Sequence, residues 1–217
     1  MKDIVIFGTG GFGREVANLI EDINTNVSTW NMLGWLDGNL ENHGNQVHEL
    51  PIFGDVSWLV SRPEVHVVVA VGGPSSKKRI VESIGESKFA TLIHPDVRIR
   101  SRIRIDGGSI ICEGTQMTTN IKLGRHTIVN LGCTVGHDSV LEDFVTVAPG
   151  VNISGNVTIG TGTDLGTGSK IIQGINVGRW TVVGAGAVVS RDLPANVTAV
   201  GVPARIIKER PDGWQRS

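Results

Sequence analysis

The chain's 217 residues suffice for two compact domains, and its 20 basic residues nearly cancel its 21 acidic ones, which excludes the electrostatic footprint of a dedicated nucleic-acid binder. No apolar run approaches the roughly 18 to 20 residues of a membrane span, so neither nucleic acid nor a bilayer core is expected as a partner. Cys112 and Cys133 form no CxxC pair, and the sequence opens directly on MKDIVIFG rather than on a charged and apolar leader, so a reducing, cytoplasmic location is expected.

Asp3 to Phe7 is an apolar strand that runs into Gly8-Thr9-Gly10-Gly11-Phe12-Gly13, and Arg14 to Ile20 has helical spacing. Strand, glycine turn and helix in this order are the context in which GxGxxG binds a diphosphate. The glycines let phosphate oxygens approach the backbone, and the helix N-terminus offers unpaired amides. The same motif also serves as a plain tight connection. A second strand, Leu33 to Leu36, ends at Asp37, placed either to accept hydrogen bonds from a base or ribose or to close a turn. A third, Val65 to Val71, ends in Gly72-Gly73 and leads into a basic helix start, Lys77-Lys78-Arg79, and a fourth, Phe89 to Ile93, hands over to His94-Pro95. About ninety residues hold one mononucleotide half of a doubly wound sheet, not a full dinucleotide fold.

From Val97 onward the chain divides into six-residue blocks without an insertion, from VRIRSR and IRIDGG to INVGRW and TVVGAG. The third residue of every block is a branched aliphatic or Met: Ile99, Ile105, Ile111, Met117, Leu123, Val129, Val135, Leu141, Val147, Ile153, Ile159, Leu165, Ile171, Val177 and Val183, then Val189. With 40% of all residues hydrophobic, chance gives such a run with a probability on the order of a few in a million over six registers. The first positions are small or β-branched, as in Ser109, Thr115, Thr127, Cys133, Ser139 and Thr163, and Gly or Asn closes many blocks where a turn needs positive φ. Three blocks per triangular coil stack about five coils around an aliphatic ladder, a parallel β-helix over about residues 97 to 190.

This rhythm resembles the hexapeptide acyltransferase superfamily, whose members are left-handed β-helices and usually trimers; such winding departs from the right-handed crossover rule. A truncated Rossmann-like βαβ segment fused to these repeats is similar to the NeuD/PglD-type bacterial nucleotide-sugar acetyltransferases over essentially the whole chain. The likeness is carried by Val135-Gly136-His137-Asp138 followed by Leu141-Glu142-Asp143-Phe144, by Ala148-Pro149-Gly150, by Ser154-Gly155-Asn156-Val157 and by Val200-Gly201-Val202-Pro203-Ala204. It implies an α/β plus all-β chain: a small Rossmann-like nucleotide-sugar-binding domain over residues 1–94, then a left-handed β-helix acetyltransferase domain with a C-terminal tail over 95–217.

The activity the resemblance implies is N-acetylation of a nucleotide-linked 4-amino-4,6-dideoxy sugar, with acetyl-CoA as cosubstrate and no metal. The enzyme would be a homotrimer with active sites between subunits. In this likeness His137 is the general base for direct attack of the amine on the thioester, and Asp138 is the acidic partner that fixes its tautomer. Positions matching the family's acetyl-CoA contacts are Thr146, Thr167 and Ala185; those matching nucleotide-sugar contacts are Gly10, Gly11, Phe12, Asp37 and Gly72. Thr146 departs from the histidine often found there. Gly38 replaces a second acidic residue common in relatives, which leaves uridine, thymidine and guanosine open as the carrier's nucleoside. Coil geometry adds Gly155: eighteen residues after His137, it lies one coil further along the same face, where its amide could meet the thioester oxygen.

Cys133, at an inward first position, has a packing role. Lys77 stands where relatives have a phosphate-reaching arginine, or else on a solvated helix face. His126 is expected at an exposed corner or projecting toward a neighbouring subunit, and Trp180 stacking on CoA or packing a trimer contact. His94 is a structural turn residue, and His43, His48 and His66 have no assigned role. Two rival readings remain: an O-acetyltransferase acting on sialic acid, another sugar or a small alcohol such as serine, and a nonenzymatic nucleotide-sugar-binding trimer. The His137-Asp138 pair favours catalysis over the latter.

Overall fold

The computed structural model describes residues 1–85 and 87–216, and the chain divides into two compact units, residues 1–72 with 76–95 and residues 73–75 with 96–217.

In the first unit β1 (Lys2–Phe7) pairs in parallel with β2 (Trp30–Leu36) on one side and with His66–Val69 on the other, and Lys88–Phe89 completes a four-stranded sheet. Ile4, Val5 and Ile6 have no solvent exposure, as a central strand covered on both faces requires. Val5, Phe7, Leu36, Val67 and Val69 form a core with Ile80, Val81 and Ile84 of the helix Pro74–Ile84. Against β1 also packs α1 (Gly11–Asn26), which buries Val16, Ala17, Leu19 and Ile20. Gly13 permits the close approach: a Cβ there would lie 1.9 Å from the Gly8 carbonyl oxygen. The arrangement is Rossmann-like.

Two details differ from the expected strands. The last splits into Lys88–Phe89, which pairs with His66–Val67, and Leu92–Ile93, which lies outside that four-stranded sheet. A hairpin, Gln46–Val47 with Leu50–Pro51, turns through His48 and Glu49 at φ 46° and 63°. Such turns normally announce themselves by Asn-Gly or Asp-Gly, so His-Glu hid this one.

The second unit is a left-handed parallel β-helix with three faces. Ile103–Ile105, Ile121–Leu123, Val140–Leu141, Thr158–Ile159 and Asn176–Val177 form the first face. On the second lie Ile110–Ile111, Ile128–Val129, Thr146–Val147, Asp164–Leu165 and Val182–Val183, continued by Val197–Val200 and the antiparallel Arg205–Glu209. The third carries Gln116–Met117, Thr134–Val135, Asn152–Ile153, Lys170–Ile171 and Val188–Val189. Parallel neighbours are eighteen residues apart, as in Thr146 opposite Asp164 and Thr134 opposite Asn152.

Because side chains alternate along a strand, the first and third positions of each block both point inward and the second points out. Leu123, Val129, Val147, Ile159, Leu165 and Val189 are fully buried, and so are the first-position Ser109, Thr127, Ser139 and Thr163. These hydroxyls are tolerated in the prism because each donates to a carbonyl fifteen residues on: Ser109 to Gly124 at 3.1 Å, Thr127 to Glu142 at 3.2 Å, Ser139 to Ser154 at 3.1 Å and Thr163 to Gly178 at 2.9 Å. Cys133 joins the same pattern, its Sγ 3.2 Å from the Ala148 oxygen. The ladder is shorter than expected at its start. Val97–Arg102 forms no strand and Ile99 is 40% exposed, since this block precedes the first hydrogen-bonded coil.

At the corners, every sixth residue from Gly108 to Gly186 adopts positive φ, including Asn120, His126, Asp138, Phe144, Asn156 and Trp180. A left-handed corner sends its side chain toward the neighbouring coil, and this overturns the exposed placement expected for His126. That residue is 6% exposed, lies against Gly108, and stacks on Phe144 with ring centroids 5.3 Å apart and planes 9° apart. Trp180 likewise is 5% exposed and lies on Gly162, where a Cβ would come within 2.2 Å of the indole. Gly162→Ala is therefore expected to add about 1–3 kcal/mol of overpacking to the roughly 1 kcal/mol of left-handed strain. Gly174→Ala, with φ 77° and nothing within 4 Å of its Cβ, should show the strain alone. Chemical denaturation measures both, and equal losses would contradict the stacking argument.

Candidate active site

Three strand ends meet at the carboxyl edge of the N-terminal sheet. Gly8 donates its N–H to Leu36 at 2.8 Å, and Ala70 donates to Phe7 at 2.9 Å, which sets the turn after β1 between Asp37 and the Val71-Gly72 segment. In open parallel sheets, ligand crevices form at this edge. Gly10 and Gly11 are exposed, and a Cβ on either would meet nothing within 4 Å; Gly10 caps α1 without any side-chain hydrogen bond, and no acidic residue occupies the first turn. The helix end is thus open to an anion. Phe12 is half-buried beside it.

Asp37 is half-buried at the same edge. Its Oδ2 accepts from the Thr9 hydroxyl and its Oδ1 from the Asn39 N–H at 2.8 Å. Partial burial pushes this carboxyl up, but the hydrogen bonds from Thr9, Asn39 and Asn42 outweigh it and hold Asp37 below the usual carboxylate range. Thr9 and His43, whose Nε2 lies 2.8 Å from the Asp37 carbonyl, were missed in the sequence, since Thr9 fills a variable position of the glycine motif and His43 lies outside any motif. Lys77 is not on a solvated face. It is 1% exposed, because it shares the inward stripe with Ile80, Val81 and Ile84 at spacings of three, four and seven.

In the β-helix, His137 and Asp138 occupy the corner between the third and first faces, and both side chains are 51% exposed. Nδ1 of His137 lies 2.8 Å from Oδ2 of Asp138. Oδ1 accepts from Asn120 Nδ2 at 2.9 Å. The Asn120 hydrogen bond first, then that of His137, lowers the Asp138 carboxyl below its ordinary value. Backbone bonds fix the corner on both sides: Asp138 donates to Thr119 at 3.1 Å, and His137 accepts from Asn156 at 2.7 Å. Gly155 lies directly against the imidazole, for a Cβ there would be 2.4 Å from Nε2. Its N–H donates to no acceptor among the described residues.

The remaining β-helix candidates lie elsewhere on the prism. Thr146 is on the second face and is buried. Thr167 and Ala185 are exposed, one coil apart, on the corner between the second and third faces. One chain therefore brings His137, Asp138 and Gly155 together and leaves Thr146 on the second face and Thr167 and Ala185 on another corner. The first face carries a groove of about 730 Å³ lined by Glu142, Thr158, Gly160, Asn176, Arg179 and Asp192 among others; neither His137 nor Gly155 lines it.

The family described as PglD N-terminal domain matches residues 3–84. The GDP-perosamine N-acetyltransferase of Escherichia coli O157:H7 is 30% identical over 217 residues, spanning 95% of this chain and 96% of that one. A histidine-to-asparagine mutant of perosamine N-acetyltransferase from Caulobacter crescentus, in complex with CoA and GDP-perosamine, superposes with a TM-score of 0.88 at 26% identity, covering 96% of this chain and 98% of that one. The acetyltransferase domain of PglB from Neisseria gonorrhoeae, in complex with acetyl coenzyme A, superposes with a TM-score of 0.85 at 31% identity, covering 95% and 99%.

Thr9→Val removes a hydrogen bond that holds Asp37 low while keeping the burial that opposes it, so Asp37 is expected to titrate higher, as read by NMR of its Cγ. The sign for stability follows. A depressed folded value stabilises the protein above the unfolded value of about 3.9, and that contribution is lost as pH falls through the folded value. The variant should thus be less stable than the parent near neutral pH and converge with it in strong acid; a constant difference would contradict this.

Proposed function

Because the chain belongs to the NeuD/PglD-type nucleotide-sugar acetyltransferases, a hexapeptide-repeat family, we propose that it transfers the acetyl group of acetyl-CoA to the amine of a nucleotide-linked 4-amino-4,6-dideoxy sugar, with His137 as general base. The observation that carries this reading is the His137 corner: Asp138 holds Nδ1, leaving Nε2 as the base nitrogen on the side of Gly155. The neutral amine attacks the thioester carbonyl carbon, Nε2 takes a proton as the C–N bond forms, and the C–S bond breaks to release CoA, whose sulfur takes up the proton. The unpaired N–H of Gly155 is the donor for the developing oxyanion. Direct transfer requires no protein nucleophile, in keeping with the buried thiol of Cys133, which desolvation pushes up.

The N-terminal unit, over residues 1–94 in this assignment, takes the nucleotide. Its Gly10-Gly11-Phe12 turn and helix end receive the diphosphate, and Asp37 and Gly72 border the nucleoside. Residues 95–217 carry the transfer. The pantetheine arm passes Gly155 at the His137 corner, and Thr167 and Ala185 of a second copy close the site; Thr146, buried on the second face, takes no side-chain part. The placement of Thr167 and Ala185 on a corner away from His137 is what supports a homotrimer with active sites between subunits. Two relatives have CoA or acetyl-CoA in their solved structures, and one of these also holds a GDP-linked amino sugar.

The test is release of CoA thiol from acetyl-CoA in the presence of GDP-, UDP- and dTDP-linked 4-amino sugars. Turnover with one of them is expected, whereas tight binding without turnover of any would leave a nonenzymatic binding protein. His137→Ala should lower kcat by about 10²-fold or more with an unchanged Tm, and full activity would assign the proton to another group. Shared sites predict complementation: His137→Ala and Ala185→Trp, each inactive alone, should regain activity when coexpressed in one oligomer, and failure to do so would place each site within one chain.

A further inference from the structure

The His137 corner contains a third polar side chain that the reaction as written does not use. Asn120 stands eighteen residues before Asp138, one coil away on the same edge, and both residues adopt the left-handed conformation, with φ 54° and 59°. Most blocks place glycine at this sixth position, where only the backbone matters. Asn also tolerates that conformation, but its amide adds something glycine cannot supply: Nδ2 donates to Oδ1 of Asp138 at 2.9 Å while Oδ2 faces His137 Nδ1 at 2.8 Å. The carboxylate is thereby held at both oxygens. Asn156, on the other side of Asp138 in the same column, contributes its backbone N–H to His137 and no side-chain bond to the carboxylate.

We propose that Asn120 is a positioning residue for acetyl transfer, its amide locking the Asp138 carboxylate in the orientation that presents Oδ2 to His137. The inference rests on the reading of His137 as general base. Asp138 is half-exposed at the prism surface, and an exposed carboxylate with a single partner rotates freely among water molecules. A second, charge-assisted hydrogen bond from a rigid coil removes that freedom. An amide N–H can donate but cannot take a proton, so the arrangement also keeps Asp138 ionised while His137 cycles between its neutral and protonated forms. The lowered carboxyl of Asp138, with Asn120 as the foremost cause, agrees with this.

Asn120→Gly is the diagnostic variant, since it preserves the left-handed corner and deletes only the amide. The expected result is a fall in kcat of about fivefold to tenfold, with KM for both substrates within about twofold and Tm unchanged. NMR of the Asp138 Cγ should show the carboxyl titrating higher. Asp138→Gly should lose more, and the double variant Asn120→Gly/Asp138→Gly should be no slower than Asp138→Gly alone. A parent-like kcat in Asn120→Gly, a loss confined to KM, or a loss that multiplies on top of Asp138→Gly would overturn the inference. Full activity in His137→Ala would remove the general-base reading together with it; an impaired His137→Ala and Asp138→Gly beside parent-like Asn120→Gly would remove the inference alone.

Discussion

A coil of eighteen residues is the constraint on which the β-helix depends. Parallel pairing between residues eighteen apart puts like positions of successive coils above one another, so each corner becomes a column of side chains rather than a sequence of unrelated loops. The core follows from the same rule. First and third positions alternate inward, and the buried hydroxyls of Ser109, Thr127, Ser139 and Thr163 are accommodated there because the stacking offers each a carbonyl fifteen residues on. No insertion interrupts the blocks between Val97 and Val189, which is what keeps the columns aligned.

Each of the three columns has its own chemistry. Between the first and second faces the corner is aromatic, His126 resting on Gly108, Phe144 on His126 and Trp180 on Gly162, and it is closed to solvent. Between the second and third faces the left-handed positions are all glycine, Gly114, Gly132, Gly150, Gly168 and Gly186, so the exposed side chains there come from their neighbours, such as Thr167 and Ala185. Between the third and first faces Asn120, Asp138 and Asn156 make it polar, and this is where the imidazole of His137 sits over Gly155. A left-handed residue is a local strain of about 1 kcal/mol, yet it is also the device that turns a side chain along the prism axis, so that Asp138 can meet both a neighbour in its own block and one in the coil before. The proposed base, His137, lies at the corner whose left-handed residues carry polar atoms.

The N-terminal unit works on a different principle. Parallel strands deliver three loops to one edge, and the glycines after β1 leave the amides at the start of α1 uncovered. Thr9 ties the first of these loops to Asp37 at the end of the second strand.

Periodicity is a property of the chain itself, and it alone fixed the β-helix, its inward ladder and the eighteen-residue relation between His137 and Gly155. Strand, glycine turn and helix in order likewise announced the parallel sheet and its open helix end. What the chain order could not reveal is the direction a corner side chain takes, because that depends on the sign of φ and on the space left by a residue one coil away. Hence His126 and Trp180 are buried where exposure or an outward contact was expected, and Asn120 went unnoticed although it touches the carboxylate partner of His137. Lys77 was hidden by a charged neighbourhood that masks the inward stripe of its helix. The separation of His137 from Thr146, Thr167 and Ala185 was decided by the triangular cross-section, since positions close in sequence fall on different corners of a prism.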